Sequence, residues 1–220
     1  MSNIREQFLK LFEASWNGKL GWENARFVVV DSETTGFDPK KDRLVSIGAV
    51  GVDHFQINLE DAFEAVLPIA YNTSAVTVHG ITREAANEFG VSEPVAVGQF
   101  LEYLKDGIIV GHHIEHDIQA FETACQRHFG FDRLPNLFVD TMDLTLRLEA
   151  LGFIERDVKE GAEPDFSLDG LCRRFEIKAH DRHTATGDAF LTAQVFLKLL
   201  KKAKRAGFLK LSDLTARYEP

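Results

Sequence analysis

The sequence contains three apolar runs that are too short to be helices. Residues 26–31 read R-F-V-V-V-D, residues 108–110 read I-I-V and residues 138–140 read F-V-D. Runs of this length are typical of strands that are buried on both faces of a sheet. Two further strands, over 44–52 and 63–67, complete a meander with the first. Three strands at the start, followed by helices that alternate with short strands, predict an α/β fold with a mixed sheet flanked by helices.

The rest of the pattern is helical and indicates one main domain. Apolar residues at helical spacing over 3–16 predict a short amphipathic helix, which Trp16-Asn17-Gly18 ends. We expect a helical extension over 1–25, the main domain over 26–206 and a C-terminal tail over 207–220. Capping residues and Pro94 at a first helical position predict helices over 82–89, 94–105, 117–129, after Asp140, and over 167–175 and 188–205.

The net charge limits how this chain could bind nucleic acid. A net charge of −9 disfavours a protein that coats nucleic acid by charge alone. Residues 191–220 hold seven Lys or Arg and two Asp or Glu, so they carry +5 and leave −14 for the remainder. Their basic run lies on the last predicted helix. It is either a solvated face with cations near the helix C-terminus or a flank that contacts phosphates.

The apolar runs and the cysteines point to a cytoplasmic protein with no membrane association. No run approaches the ~20 apolar residues that a bilayer-spanning helix needs. Charges interrupt the apolar positions of the N-terminus, which is therefore not a secretory signal. Cys125 and Cys172 have neither metal-site nor disulfide-framework spacing.

Acids stand at the ends of several predicted elements. Asp31 and Glu33 are two residues apart at a strand end, and extended backbone points such residues to the same side. Asp117 begins a helix, and Asp188 begins the last helix five residues after His183. Clustered carboxylates need a hard cation such as Mg²⁺ or Mn²⁺ to offset their repulsion, and histidine exchanges protons near neutral pH.

The motifs together resemble the DEDD exonuclease superfamily, in its DEDDh branch. The resemblance rests on V-V-D-S-E-T-T-G-F-D-P over 29–39, H-G-I-T over 79–82, the segment 110–117, and H-T-A-T-G-D over 183–188. They occur in the family's order across nearly the whole chain. The family includes the proofreading epsilon subunit of bacterial DNA polymerase III. The resemblance implies a ribonuclease H-like fold and hydrolysis that releases nucleoside 5′-monophosphates from a 3′ end.

The resemblance also implies a role for each site residue. Asp31, Glu33 and Asp188 would bind two catalytic divalent cations, Mg²⁺ or Mn²⁺, and Asp117 would hold the second. His183 would be the general base, and His79 would approach the terminal nucleotide or its scissile phosphate. The backbone around Thr34 would touch the terminal sugar. Single-stranded DNA is the favoured substrate, with RNA as the alternative. A DNA polymerase or another replication or repair protein is the expected partner.

One segment departs from the family pattern. The family's H-N-x-x-F-D appears here with His113 in place of Asn and His116 in place of Phe. The same segment matches H-x-x-E-H of inverted zinc peptidases through His112, Glu115 and His116, although that motif requires a helix. A non-catalytic module that binds nucleic acid or a polymerase is the other alternative.

Three further residues have open interpretations. Asp140 follows its predicted strand and either supports the site or caps the next helix. Trp22 and Tyr71 are the aromatic residues considered for stacking on bases.

Overall fold

The computed structural model describes residues 2–12, 21–36, 38, 41–70, 72, 74–156 and 164–217. The predicted end of the first helix at Trp16-Asn17-Gly18 and the candidate stacking residue Tyr71 lie outside these ranges.

The centre of the fold is a five-stranded mixed sheet within the described residues. Its order is β3-β2-β1-β4-β5. The first three strands form an antiparallel meander, whereas β4 and β5 run parallel to β1. The predicted α/β fold class is therefore confirmed. The strands are β1 Phe27–Thr34, β2 Leu44–Asp53, β3 Gln56–Val66, β4 Ile108–Gly111 and β5 Phe138–Asp140.

Helices flank both faces of the sheet. The seven predicted helices begin within a few residues of their predicted starts, whereas the short helices Val76–His79 and Leu211–Thr215 were not predicted. The last long helix begins three residues before Asp188, because Thr184 caps it by accepting a hydrogen bond from the Gly187 amide. The helices are α1 Ser2–Lys10, α2 Val76–His79, α3 Arg83–Phe89, α4 Glu93–Leu104, α5 Glu115–Phe129, α6 Thr141–Ala150, α7 Leu168–Arg174, α8 Ala185–Arg205 and α9 Leu211–Thr215.

Alternation along β1 determines which helices each residue faces. Phe27 and Val29 lie in the core shared with α6, α7 and α8. Val28 and Val30 lie in the core shared with α4 and α5. Odd-numbered residues of β1 therefore point to the α8 side and even-numbered ones to the α5 side, since successive side chains of a strand alternate.

A glycine in β2 allows the first turn of α8 to approach the sheet. Gly48 pairs with Asp31 in the register of the sheet. A Cβ atom at Gly48 would lie 2.3 Å from the backbone carbon of Ala185. Glycine inside a strand often marks such a close backbone approach. Here it brings the start of α8 next to the end of β1.

Both ends of the chain pack against the main domain. In α1, Phe8 is buried and its ring lies 6.1 Å from that of Phe131. The predicted C-terminal tail contains α9, whose Leu211 and Leu214 are buried in the core beside α8. These apolar contacts hold the segments against the domain. Within the described residues, no helix is long and apolar enough to span a bilayer.

Trp22, which was considered for stacking on bases, is not available for that role. It is 1% exposed, and its indole nitrogen donates to the carbonyl of Phe208 at 2.8 Å. An indole with a satisfied donor and a buried ring is a core residue.

Candidate active site

Three carboxylates meet where β1 ends and α8 begins. Asp31 and Glu33 are odd-numbered residues of β1 and point towards α8, as the alternation requires. Asp188 lies in the first turn of α8 and is 7% exposed. Each residue offers one ligand atom, and these atoms all lie within 4.8 Å of one another. The strand alternation and the close approach of α8 thus place the three acids in one cluster.

The fourth predicted acid approaches from the opposite layer. Asp117 lies in the first turn of α5 and is buried. Its Oδ1 atom accepts hydrogen bonds from the Ser32 amide at 2.8 Å and the Ser32 hydroxyl at 2.6 Å. Ser32 is an even-numbered residue of β1 and so faces α5. Asp117 does not belong to the group of Asp31, Glu33 and Asp188, whose ligand atoms lie within 4.8 Å of one another. Its hydrogen bonds with Ser32 nevertheless hold it beside the same end of β1.

Burial and mutual repulsion raise the pKa values of Asp31, Glu33 and Asp117. Burial, followed by repulsion from Asp117, Asp188 and Glu33, holds the pKa of Asp31 well above its usual range. Burial and repulsion from Asp188 and Asp117 raise the pKa of Glu33 to about 7. Burial raises the pKa of Asp117 to about 7, although the Ser32 hydrogen bonds act in the opposite direction. The cluster therefore holds more negative charge than it can stabilise by itself.

The donor set fits a divalent cation. Three carboxylate oxygens within 4.8 Å are hard ligands, and Mg²⁺ and Mn²⁺ prefer oxygen ligands. A cation would also offset the repulsion that raises the pKa values of Asp31 and Glu33.

The raised pKa values give a prediction for stability. An acid whose folded-state pKa lies above its unfolded value makes stability fall as pH rises between the two. For Glu33 and Asp117 that interval runs from about 4 to about 7. Removing one charge by Asp31→Asn should stabilise the EDTA-treated protein at pH 8 by at least about 1 kcal/mol, since one pKa unit corresponds to that energy. Melting curves at pH 4, 6 and 8 should show this gain at pH 8 and little difference at pH 4.

The control for this experiment is Glu60→Gln, because Glu60 is an exposed acid of β3 outside the cluster. It should melt like the wild type at every pH. Added Mg²⁺ should raise the melting temperature of the wild type more than that of Asp31→Asn. If Asp31→Asn melted below the wild type at pH 8, charge repulsion would not be the dominant strain in this cluster.

The predicted general base lies in a strained loop before α8. His183 is exposed and has a φ angle of +63°. Its backbone amide donates to Asp188 Oδ2 at 3.3 Å. Asp181 in the same loop also has a positive φ, +52°. Non-glycine residues adopt this region rarely, and such strain persists where surrounding contacts hold it.

His79 lines a cleft that leads to the carboxylates. The cleft has a volume of about 520 Å³, and its walls include Asp31, Glu33, Thr34 and Asp117. His79 Nδ1 accepts from the Ile81 amide at 3.1 Å, and burial lowers the pKa of His79. The neutral ring therefore carries its proton on Nε2. Within the described residues this Nε2 is buried and has no hydrogen-bond partner.

The backbone at Thr34 forms part of the same wall. Its hydroxyl donates to the Gly36 carbonyl at 2.7 Å. The Thr35 amide donates to the Arg43 carbonyl at 2.9 Å. These contacts give the strand end a defined backbone surface beside the acids.

The turn that departs from the family pattern is well packed. His113 has a φ of +57°, a region in which both Asn and His are enriched, so His is compatible with this position. His112 Nδ1 lies 2.9 Å from the Thr141 hydroxyl, and burial lowers the pKa of His112 to about 4. Ile114 is fully buried, whereas His116 is exposed on α5. The turn is thus anchored by His112 and Ile114.

This geometry does not support a zinc peptidase. His112 follows β4 and lies outside α5, so it does not share a helix face with His116. Among the described residues, the one group of three His, Cys, Asp or Glu ligands is Asp31, Glu33 and Asp188.

Asp140 has both of the roles that the sequence left open. Its Oδ1 accepts from the Met142 amide at 2.8 Å and so caps α6. Its Oδ2 accepts from the Ile114 amide at 3.0 Å. It therefore ties the start of α6 to the turn that leads to Asp117.

Two contributions to the site were not predicted from the sequence. Ser32 was not singled out, although the strand alternation places it opposite the α5 layer. Arg182 contacts Asp169 of α7 and Asp188 of α8, and no local pattern indicates that pairing. The role of Ser32 could have been predicted from strand alternation, whereas the contacts of Arg182 depend on where α7 lies in the fold.

Comparison with known proteins agrees with the fold. The family model RNase_T, described as an exonuclease, matches residues 28–196. The chain belongs to this exonuclease family, which confirms the family predicted from the motifs.

Two relatives show the range of proteins that contain this domain. The chain is 32% identical over 196 residues to the PolC-type DNA polymerase III of Thermotoga petrophila, covering 88% of this chain and 13% of that protein. It is 28% identical over 186 residues to DNA polymerase III subunit epsilon of Aquifex aeolicus, covering 80% and 81% respectively. The chain thus spans a small part of the first relative and most of the second.

Solved structures show the same fold. E. coli Exonuclease I in complex with a dT13 oligonucleotide has a TM-score of 0.73 at 20% identity, covering 84% of this chain and 43% of that chain. The zinc-bound form of its single-stranded DNA complex has a TM-score of 0.70 at 22% identity, covering 84% and 42%. These similarities confirm the ribonuclease H-like fold.

Proposed function

We propose that this chain is a metal-dependent 3′–5′ exonuclease that releases nucleoside 5′-monophosphates. The observation that carries the proposal is the cluster of Asp31, Glu33 and Asp188, with ligand atoms within 4.8 Å. Asp31 and Glu33 of this cluster line a cleft in a member of an exonuclease family. Repelling carboxylates at such a position serve to hold divalent cations.

In this mechanism Asp31, Glu33 and Asp188 would hold a divalent cation, and Asp117 would hold a second from the α5 side. When bound, such cations would supply charge stabilisation for the in-line displacement at phosphorus and for the leaving 3′-oxygen. His183 accepts the proton of the attacking water, because histidine exchanges protons near neutral pH. The exposed position of His183 leaves its ring free to reach solvent and substrate.

Two residues of the cleft would orient the terminal nucleotide. His79 Nε2 is a donor without a partner among the described residues, and its fixed tautomer suits a phosphate or sugar oxygen. The backbone at Thr34 would contact the terminal sugar. Fixed donors position a substrate without reorganisation at the moment of reaction.

Single-stranded DNA is the substrate we propose first. E. coli Exonuclease I, which has the same fold, was solved with a dT13 oligonucleotide. A relative of similar length is a DNA polymerase III subunit, so a DNA polymerase is the partner we propose. Cys125 and Cys172 are both free thiols, as expected for a protein of the reducing cytoplasm.

The proposal is tested with matched 5′-labelled single-stranded DNA and RNA oligonucleotides in Mg²⁺ or Mn²⁺. The expected result is a ladder that shortens from the 3′ end and is absent in EDTA. The ratio of the two rates gives the sugar preference, which depends on contacts to the 2′-hydroxyl. Product nucleoside 5′-monophosphates should be identified directly by mass.

The alternative, a binding module without catalysis, makes a different prediction. Such a protein would bind the oligonucleotide and leave both strands intact in the presence of either metal. That result, with metal shown to bind, would overturn the proposed activity.

A further inference from the structure

Arg182 forms the centre of a bridge between two helices at the edge of the carboxylate cluster. Its Nε donates to Asp169 Oδ1 at 2.7 Å and its Nη2 donates to Asp169 Oδ2 at 3.3 Å. Its Nη1 forms an ion pair with Asp188. Asp169 lies in the first turn of α7, and Asp188 lies in the first turn of α8. One guanidinium therefore links three segments of the chain.

The guanidinium is well suited to this link. An arginine presents donors in a rigid plane, so a two-point contact with one carboxylate also fixes the direction of the third nitrogen. The Arg182 side chain is 20% exposed and the Asp188 side chain 11%, so their ion pair is screened less than a surface pair. The Asp169 side chain is 43% exposed, so its contact with Arg182 is the more screened of the two. A lysine would carry the charge without the planar geometry.

The loop that contains Arg182 needs such a support. Asp181 and His183, on either side of Arg182, both have positive φ angles. The loop also folds tightly onto α8, since a Cβ atom at Gly187 would lie 2.0 Å from the Asp181 carbonyl oxygen. The Thr184 hydroxyl donates to the same carbonyl at 2.7 Å. A backbone with two residues in this region keeps its shape only while its neighbours hold it.

We propose that Arg182 is a positioning residue that holds the His183 loop in its strained conformation by bridging Asp169 of α7 to Asp188 of α8. This inference rests on the proposed function, because His183 and Asp188 are placed in the reaction there. Among the described residues, the Asp169 carboxylate accepts hydrogen bonds from Arg182 and is not part of the ligand group of Asp31, Glu33 and Asp188. It acts through Arg182 and fixes the orientation of the Asp188 carboxylate and of the His183 backbone.

The test compares Asp169→Ala, Arg182→Met, Arg182→Lys and the double variant Asp169→Ala/Arg182→Met. Each single variant should lower kcat by about 10–100-fold, the usual effect of removing a residue that orients a ligand. KM for the oligonucleotide should change little, because neither residue is proposed to touch it. The double variant should be no worse than Arg182→Met, since both changes break the same bridge. Arg182→Lys should not restore kcat.

A second measurement does not depend on activity. Hydrogen exchange of the EDTA-treated protein should become faster in the peptide that contains residues 181–188, where the His183 amide donates to Asp188. The same acceleration is expected in Asp169→Ala and in Arg182→Met. Arg173→Gln is the matched control, because Arg173 also lies on α7 and pairs with the exposed Asp165. It should change neither kcat nor exchange.

The outcomes separate this inference from the proposed function. Wild-type kcat and exchange in Asp169→Ala, combined with a large loss in Arg182→Met, would overturn the bridge and leave Arg182 acting by its charge. Unchanged exchange in both variants would also overturn it. A wild-type protein that cuts no strand would remove the proposed function, whereas faster exchange in residues 181–188 would still support the bridge.

Discussion

Alanine in place of Asp31 or Asp188 is expected to lower exonuclease turnover by at least ~10³-fold in saturating Mg²⁺. The two residues offer ligand atoms from opposite elements, β1 and α8, so neither can replace the other. Loss of one oxygen ligand leaves the cation poorly held and removes several kcal/mol of charge stabilisation from the transition state. Single-turnover rates on a 5′-labelled oligonucleotide measure this loss.

Two controls make this result specific. Glu60→Ala removes an exposed acid of β3 and should retain the wild-type rate. Melting curves should show that both cluster variants are folded, and Asp31→Ala should be at least as stable as the wild type in EDTA. Near-normal turnover in either cluster variant would contradict the assignment of these carboxylates as metal ligands.

His183→Ala is expected to lower turnover at pH 7 by roughly 10²–10⁴-fold, the usual scale for a lost general base. The loss should shrink as pH rises, because hydroxide increasingly replaces the missing base. Added imidazole should restore part of the rate, since the exposed position of His183 leaves room for it. The pH–rate profile from pH 5.5 to 9.5 measures both effects.

The matched control for His183 is His180→Ala. His180 is exposed and lies three residues earlier in the same connection between α7 and α8. Its replacement should leave the profile unchanged. A wild-type rate in His183→Ala at pH 7 would remove the general-base role and leave the metal cluster as the main source of catalysis.

The carboxylate pair shows how much of the site could be predicted from the sequence. Alternation in an extended strand placed Asp31 and Glu33 on one side, and the structure has them on the α8 side with Asp188. The same alternation explains why Ser32 faces α5 and holds Asp117. These relations are local, since the period of a strand is two residues wherever it occurs.

Other features depend on elements that are distant in sequence. Asp140 is 26 residues from Ile114 and ties its turn to α6. Trp22 has its partner at Phe208, 186 residues away, which is why a residue considered for stacking on bases proved to be core. The predicted tail likewise contains α9, because its two leucines find a place beside α8.

The sequence by itself determined the existence of most strands and helices, the family and the positions of the four candidate acids, because these follow from periodicity, caps and motif order along the chain. Only the tertiary structure decided which acids share one cluster, that His79 carries its proton on Nε2, and that Arg182 joins α7 to α8. Those properties arise from distances and burial between segments far apart in sequence. Coulomb repulsion and desolvation act through space. The pKa values of Asp31 and Glu33 are therefore raised only after the fold has buried these acids and brought their charges together.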